Sequence, residues 1–258
     1  MFLWYNGLMN KIVVANWKMN PQSQKEAEVL LNTISKDIDK LKNKKIIICP
    51  PFPFLSIFNK LKNKKIIIGA QNVSSSPEGS FTGEVSPKML ISMGVKNVIV
   101  GHSERRALGE DDKIINEKIL NLLKFKISPI LCIGERQRDK EGLYLSFIEN
   151  QIKTCLNKVP KNQMSNIIIA YEPIWAIGQD SVRVATREEF IEIQIFIKKI
   201  ISDIYDSRVA HSVPILYGGS VNSINAKFFT EDNGADGLLV GRDSLNSKKL
   251  SAILDTIS

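Results

Sequence analysis

The sequence predicts an α/β fold, a single-domain closed (β/α)8 barrel, and three observations carry that prediction. Short apolar runs rich in β-branched residues recur along the 258 residues, each followed by a turn and a longer polar or amphipathic stretch, the pattern of repeated βα units. Eight such units follow one another with no linker or low-complexity segment between them, and a barrel of this kind occupies roughly 250 residues as one domain. Runs such as Ile46-Ile47-Ile48 and Ile66-Ile67-Ile68 do not alternate with polar residues, as expected of parallel strands covered on both faces. An open doubly wound sheet is the structural alternative. It would call for a G-x-G-x-x-G after the first strand, and none is there.

In chain order the predicted strands are residues 12–16, 45–49, 66–70, 97–101, 129–133, 167–172, 214–217 and 237–241. Between them lie helix candidates such as 22–41 and 187–203. The string KLKNKKIII occurs at 40–48 and again at 60–68, and is read as a solvated turn leading from a helix into a buried strand at the barrel's stability face. Residues 1–10, MFLWYNGLMN, stand apart from the barrel domain of residues 11–258. They lack the positive n-region and the length of a secretory signal, and are read as a strand-like arm or, in preference, the product of an upstream start codon, with Met9 the usual start.

Composition narrows the class. A hydrophobic content of 43% and a charged content of 24% suit a globular protein with a sizeable core and argue against disorder. No apolar stretch approaches the roughly 20 residues that span a bilayer. The net charge of +8 does not read as a nucleic-acid footprint, because the lysines are spread along the chain and alternate with Glu and Asp; a positive field of this kind attracts an anionic, phosphorylated substrate. Cys49, Cys132 and Cys155 are odd in number and form no C-x-x-C pair, which points to reduced thiols and a cytoplasmic location. With only His102 and His211 in the chain, an imidazole-rich metal site is hard to assemble, and no metal or cofactor is expected.

In a barrel the loops after the C-terminal ends of the strands build the active site. Those ends are loaded here: Asn16 and Lys18 after the first strand, His102 and Glu104 after the fourth, Cys132 on the fifth and Glu172 after the sixth. Gly178, Gly218-Gly219-Ser220 and Gly241 follow at the sixth, seventh and eighth. Taken singly each is weak, and His211, just before the seventh strand, is assigned no role. Together they supply one base, several electrophiles and an anion cradle at one end of one barrel, a proton-transfer site for a phosphorylated carbonyl compound.

The segments ANWKMN (15–20), QNVSSSPEGSFTGE (71–84), GHSERR (101–106), CIGE (132–135), YEPIWAIG (171–178) and YGGSV (217–221) carry a family resemblance over essentially the whole chain from Lys11 onward. They closely resemble the triosephosphate isomerase family. The resemblance implies a TIM barrel that interconverts dihydroxyacetone phosphate and D-glyceraldehyde 3-phosphate through an ene-diolate, a step of glycolysis and gluconeogenesis, without a cofactor. It implies Glu172 as the base, His102 as a neutral imidazole, Asn16 and Lys18 as further stabilisers of the ene-diolate oxygen, and Glu104 as the partner orienting Lys18. Backbone N–H groups of Gly178, Ser220, Gly241 and Arg242 would bind the phosphate, and Cys132 would pack beside the glutamate without acting as a nucleophile. A homodimer is implied as well, in which the loop 71–84 inserts into the neighbouring subunit. Thr82 would then approach the partner's Asn16 and His102, and Glu84 the partner's Arg105.

Two stretches depart from the family pattern. After Gly178 the chain reads Gln179-Asp180-Ser181-Val182-Arg183-Val184, a lid that is longer and lacks the family's second glycine. The change is expected to alter lid kinetics and leave its grip on the phosphate intact. After the eighth strand stands Gly241-Arg242-Asp243-Ser244, which places a carboxylate where a phosphate dianion would be bound unless Asp243 points outward or pairs with Arg242. Two other functions remain open to the sequence: a related barrel isomerase or epimerase acting on a pentose phosphate, and a barrel that binds without chemistry.

Overall fold

The computed structural model describes residues 11–40, 45–177 and 183–257. Eight parallel strands close into a barrel in sequence order. They are β1 (Ile12–Asn16), β2 (Ile46–Cys49), β3 (Ile66–Ala70), β4 (Asn97–Val100), β5 (Ser128–Ile133), β6 (Ile168–Tyr171), β7 (Ile215–Tyr217) and β8 (Gly237–Val240). Closure is made by β8 against β1, with Ile12 opposite Gly237 and Ala15 opposite Val240. Each predicted strand is present: β1 and β3 have the predicted bounds, β5 begins one residue earlier, and the other five are trimmed at an end. Gly101 leaves β4 because its φ is +70°, and Glu172 leaves β6 to begin the loop that carries it.

The strands are apolar apart from Asn16, Asn97 and Ser128 at their ends, because they face two cores. Val14, Ile47, Ile99, Ile130, Ile168 and Leu216 fill the barrel's interior, while their neighbours Val13, Ile46, Val98, Leu131, Ile169 and Ile215 pack outward under the helices. This is the two-sided burial that the unalternating isoleucine runs predicted.

The outer ring holds α1 (Gln24–Lys40), α2 (Pro87–Ser92), α3 (Ser103–Ala107), α4 (Asp112–Lys124), α5 (Leu143–Cys155), α6 (Arg187–Ile204), α7 (Ser207–Ser212), α8 (Ala226–Thr230) and α9 (Ser247–Thr256). Helix α1 buries Ala27, Leu31, Ile34 and Ile38, a stripe at helical spacing. It starts at Gln24, two residues later than expected, because the Ser23 hydroxyl accepts the Glu26 N–H at 3.2 Å and caps the end. A 3-10 helix, Phe52–Lys60, replaces an α-helix after β2. No helix among the described residues is long and apolar enough to cross a membrane. The three cysteines are buried and free.

Candidate active site

Every side chain named at a strand end lies at the C-terminal mouth of the barrel, placed there by the strand it terminates. Glu172 follows β6, and its N–H donates to Ile133 O at 2.8 Å. Its position depends on glycines that the sequence reading had not singled out for this purpose. A Cβ on Gly134 would sit 1.8 Å from Glu172 O, and one on Gly218 would sit 3.0 Å from Glu172 Cγ. The carboxylate is 2% exposed, and its Oε2 accepts the Ser103 N–H at 3.0 Å from the first residue of α3.

His102 caps α3. Its Nδ1 accepts the Glu104 N–H at 3.2 Å, so the lone pair on that nitrogen is occupied and the ring proton is assigned to Nε2. Nε2 is thereby left as the donor, and it lies 3.2 Å from Glu172 Oε1.

Asn16 ends β1 and is nearly buried; its Oδ1 accepts the Lys18 N–H at 3.0 Å. Lys18 adopts a left-handed φ of +52°, an uncommon conformation for a lysine. Gln71 holds it there: Nε2 donates to Lys18 O at 2.8 Å and to Cys49 O at 2.9 Å. The Lys18 ammonium meets Glu104 Oε1 at 2.6 Å. Glu104 is therefore not in a surface pair with the arginines beside it, since Arg105 binds Glu110 and Arg106 binds Asp112 at 2.5 Å. Cys132 is fully buried; burial first, and then the charge and hydrogen bond of Glu172, push its thiol well above the usual range, so it remains protonated.

The anion cradle is partly described. Gly241 packs against Lys18, whose Cε lies 3.3 Å from where a Cβ on that glycine would be, so the eighth loop and the ammonium share one corner of the mouth. Arg242 begins the 3-10 helix Arg242–Leu245 and does not have a positive φ, which leaves its N–H as available as a glycine's. Asp243 pairs neither with Arg242 nor with solvent alone; its Oδ1 meets Lys249 Nζ at 3.1 Å. The ammonium of α9 draws the carboxylate aside, a solution the local sequence did not suggest because the partner is a turn away. Ser220 donates its hydroxyl to Ala176 O at 3.2 Å, joining the seventh loop to the sixth. Gly219 cannot carry a side chain, since a Cβ would lie 2.2 Å from the Tyr217 hydroxyl. Gly178 and residues 179–182 of the lid lie outside the described residues, as do residues 1–10.

Two groups escaped the sequence reading besides Gln71 and Gly134. Glu135 is 1% exposed and accepts from the Tyr171 hydroxyl at 2.8 Å and from Trp175 Nε1 at 2.7 Å, fixing the segment that follows Glu172. Arg183 stacks over the Trp175 ring at 4.7 Å and forks onto Glu189 at 2.8 and 2.5 Å. The CIGE segment was the signal for the first; a lone arginine in a divergent loop gave none for the second.

The loop 71–84 divides in two. Its root packs on its own barrel, with Asn72, Val73 and Ser74 buried. Only the tip stands out, where residues 78–84, including Thr82 and Glu84, are exposed and Phe81 is 52% exposed.

A carboxylate, an imidazole donor and an ammonium gathered at the C-terminal mouth of an eight-stranded barrel define the class: a barrel enzyme equipped to move protons on a small anionic substrate. Comparison with known proteins gives the particular family. The family model described as triosephosphate isomerase matches residues 11–257. A triosephosphate isomerase of Aquifex aeolicus is 42% identical over 249 residues, covering 95% of this chain and 99% of that protein. Those of Natranaerobius thermophilus and Borrelia garinii are 39% and 42% identical, over 95% and 96% of this chain and 94% and 100% of theirs. The chain belongs to the triosephosphate isomerase family.

Proposed function

We propose that the protein interconverts dihydroxyacetone phosphate and D-glyceraldehyde 3-phosphate, with Glu172 carrying the proton between adjacent carbons. The observation that carries this reading is the pairing, at 3.2 Å, of a buried carboxylate with a histidine whose other nitrogen is occupied by a helix N–H. One group accepts a proton from carbon while the other donates a hydrogen bond to the oxygen on which charge develops. Lys18 adds a full positive charge, with Asn16 completing the donors and Glu104 orienting the ammonium. Gly178, Ser220, Gly241 and Arg242 offer N–H groups to the phosphate, which takes no part in the proton transfer.

The substrate's oxygens would replace Glu172 as the partner of His102 Nε2, freeing the carboxylate to face carbon. Converting Glu172 to Gln tests this: the amide cannot accept the proton, so kcat should fall by roughly 10²-fold or more while affinity for a substrate analogue survives. A variant keeping more than about a tenth of kcat would rule out the assignment. A coupled assay with glyceraldehyde 3-phosphate separates this reading from a silent barrel, and activity on pentose phosphates alone would favour the epimerase. The active form is a two-fold dimer in the cytoplasm, with the exposed tip of loop 71–84 as its principal contact.

A further inference from the structure

The opposite end of the barrel carries a feature that the isomerase site does not use. The string KLKNKKIII is repeated 20 residues apart, and β2 and β3 pair in parallel with Ile46 opposite Ile66, Ile47 opposite Ile67 and Ile48 opposite Ile68. The barrel thus sets the two isoleucine runs side by side in register, with Lys45 and residues 60–65 at its N-terminal face. Lys45 stands beside Lys65, and the Ile46 N–H donates to Lys65 O at 2.9 Å.

Residues 60–65 alternate in exposure. Leu61 and Asn63 turn inward, Leu61 against the outer core and Asn63 Nδ2 onto Ser35 O at 3.0 Å, so Lys60, Lys62 and Lys64 project outward. Lys65 is committed to structure: its Nζ donates to Ile38 O at 3.3 Å and to Asp39 O at 3.0 Å, closing the C-terminal end of α1. Lys45, Lys60, Lys62 and Lys64 make no ion pair among the described residues. Like charges brought this close raise the local potential, and a bound anion relieves it.

The lysines border a cavity and not merely a flat surface. Between α1 and the segment 60–65 lies a groove of about 550 Å³, lined by Lys60, Lys62, Lys64 and Lys65, with an apolar wall that includes Ile57 and Leu61. Asp39 is the one carboxylate among its lining residues. That volume falls in the range of small-molecule sites. No aromatic side chain lines it, so it has no platform for stacking the bases of a nucleic acid. Lysine ammonium groups suit phosphate as mobile point charges, and three on one rim exceed what a single phosphate can engage.

We propose that this groove binds a multivalent phosphate anion, an inorganic polyphosphate chain or the polyphosphate tail of an organic phosphate, at a site distinct from the isomerase mouth. The negative ligand bridges Lys60, Lys62 and Lys64, and Ile57 and Leu61 receive any organic part. The proposal does not depend on the isomerase reading, since its ligand and its residues are separate.

Titration calorimetry of the purified full-length protein with inorganic triphosphate, ATP and orthophosphate tests it. Triphosphate is expected to saturate one site per chain more tightly than orthophosphate and to weaken as NaCl is raised through the range in which the Debye length falls below about 10 Å. The triple variant Lys60→Ala, Lys62→Ala, Lys64→Ala should lose about tenfold or more in affinity while isomerase kcat/KM stays unchanged. Should that variant melt early, Lys60→Arg, Lys62→Arg, Lys64→Arg provides the second measurement and should retain binding. Tighter binding of ATP than triphosphate assigns the organic source and equal binding the inorganic one; both outcomes support the proposal. Affinity unchanged in the triple alanine variant, no saturation at millimolar triphosphate, or a competitive inhibition constant against the isomerase equal to the dissociation constant would each overturn it. So would binding to RNA or anionic vesicles with none to triphosphate.

Discussion

Gly134 governs how closely the fifth and sixth strands approach at the mouth. Its α-carbon faces the Glu172 carbonyl, and the 1.8 Å that a Cβ would leave is far inside contact distance with rigid backbone. Replacing it with alanine forces the Glu172 backbone away from Ile133 O. We expect Gly134→Ala to cost about 1–3 kcal/mol of stability and to lower kcat far more than it changes KM. Thermal melts and steady-state kinetics on the same preparation check this, and a fully active Gly134→Ala enzyme would show that the base is not positioned through this contact. His102 shows the same dependence on backbone at the level of a proton. The Glu104 N–H selects its tautomer, so a change that breaks the first turn of α3 changes the chemistry of the ring without touching it.

Helix α6 begins with a capping box, in which the Thr186 hydroxyl accepts the Glu189 N–H at 3.3 Å and Glu189 Oε2 accepts the Thr186 N–H at 2.8 Å. The same glutamate receives Arg183, and this guanidinium, ahead of the backbone N–H, holds its carboxyl down at about 2. The folded value lies below the unfolded one, so the stabilisation is complete above about pH 5 and is lost as pH falls toward the folded value. Arg183 is half exposed, and solvent screening leaves the pair on the order of 1 kcal/mol. Glu189→Gln retains an acceptor for the capping box and removes the charge. Its melting temperature should therefore lie below that of the parent at pH 7 and converge with it near pH 2 to 3, near the folded value that Arg183 sets. A constant difference across that range would assign the effect to the cap and not to the ion pair.

At the scale of the whole molecule, the exposed apolar side chains near the mouth bear on assembly. Met19 is 83% exposed, Phe81 52% and Leu108 79%, all on loops that follow C-terminal strand ends or the helix next to them. We expect a two-fold dimer that buries this surface, with Phe81→Asp shifting it to monomer and reducing activity. Sedimentation at micromolar concentration measures this; a fully active monomeric parent would contradict it. Prolonged chelation should leave turnover unchanged, because the charge at the mouth comes from Lys18 and the hydrogen bonds from His102 and Asn16. Activity lost to a chelator and restored by added metal would argue for the epimerase reading.

The barrel was legible in the sequence because strands buried on both faces must be apolar at every position, and eight such runs with intervening amphipathic stretches leave few other arrangements. The motif segments named the side chains at the mouth, since barrel connectivity delivers each strand's last residue to one end. The sequence by itself determined which residues arrive there. Only the tertiary structure decided what several of them would meet: Asp243 with Lys249, Gln71 with the strained Lys18 backbone, and the Ile46–Ile48 run with the Ile66–Ile68 run. The last two lie 53 and 20 residues apart and are set by barrel closure and register, while Asp243 and Lys249, 6 apart, meet through the turn from the 3-10 helix into α9; local pattern encodes neither.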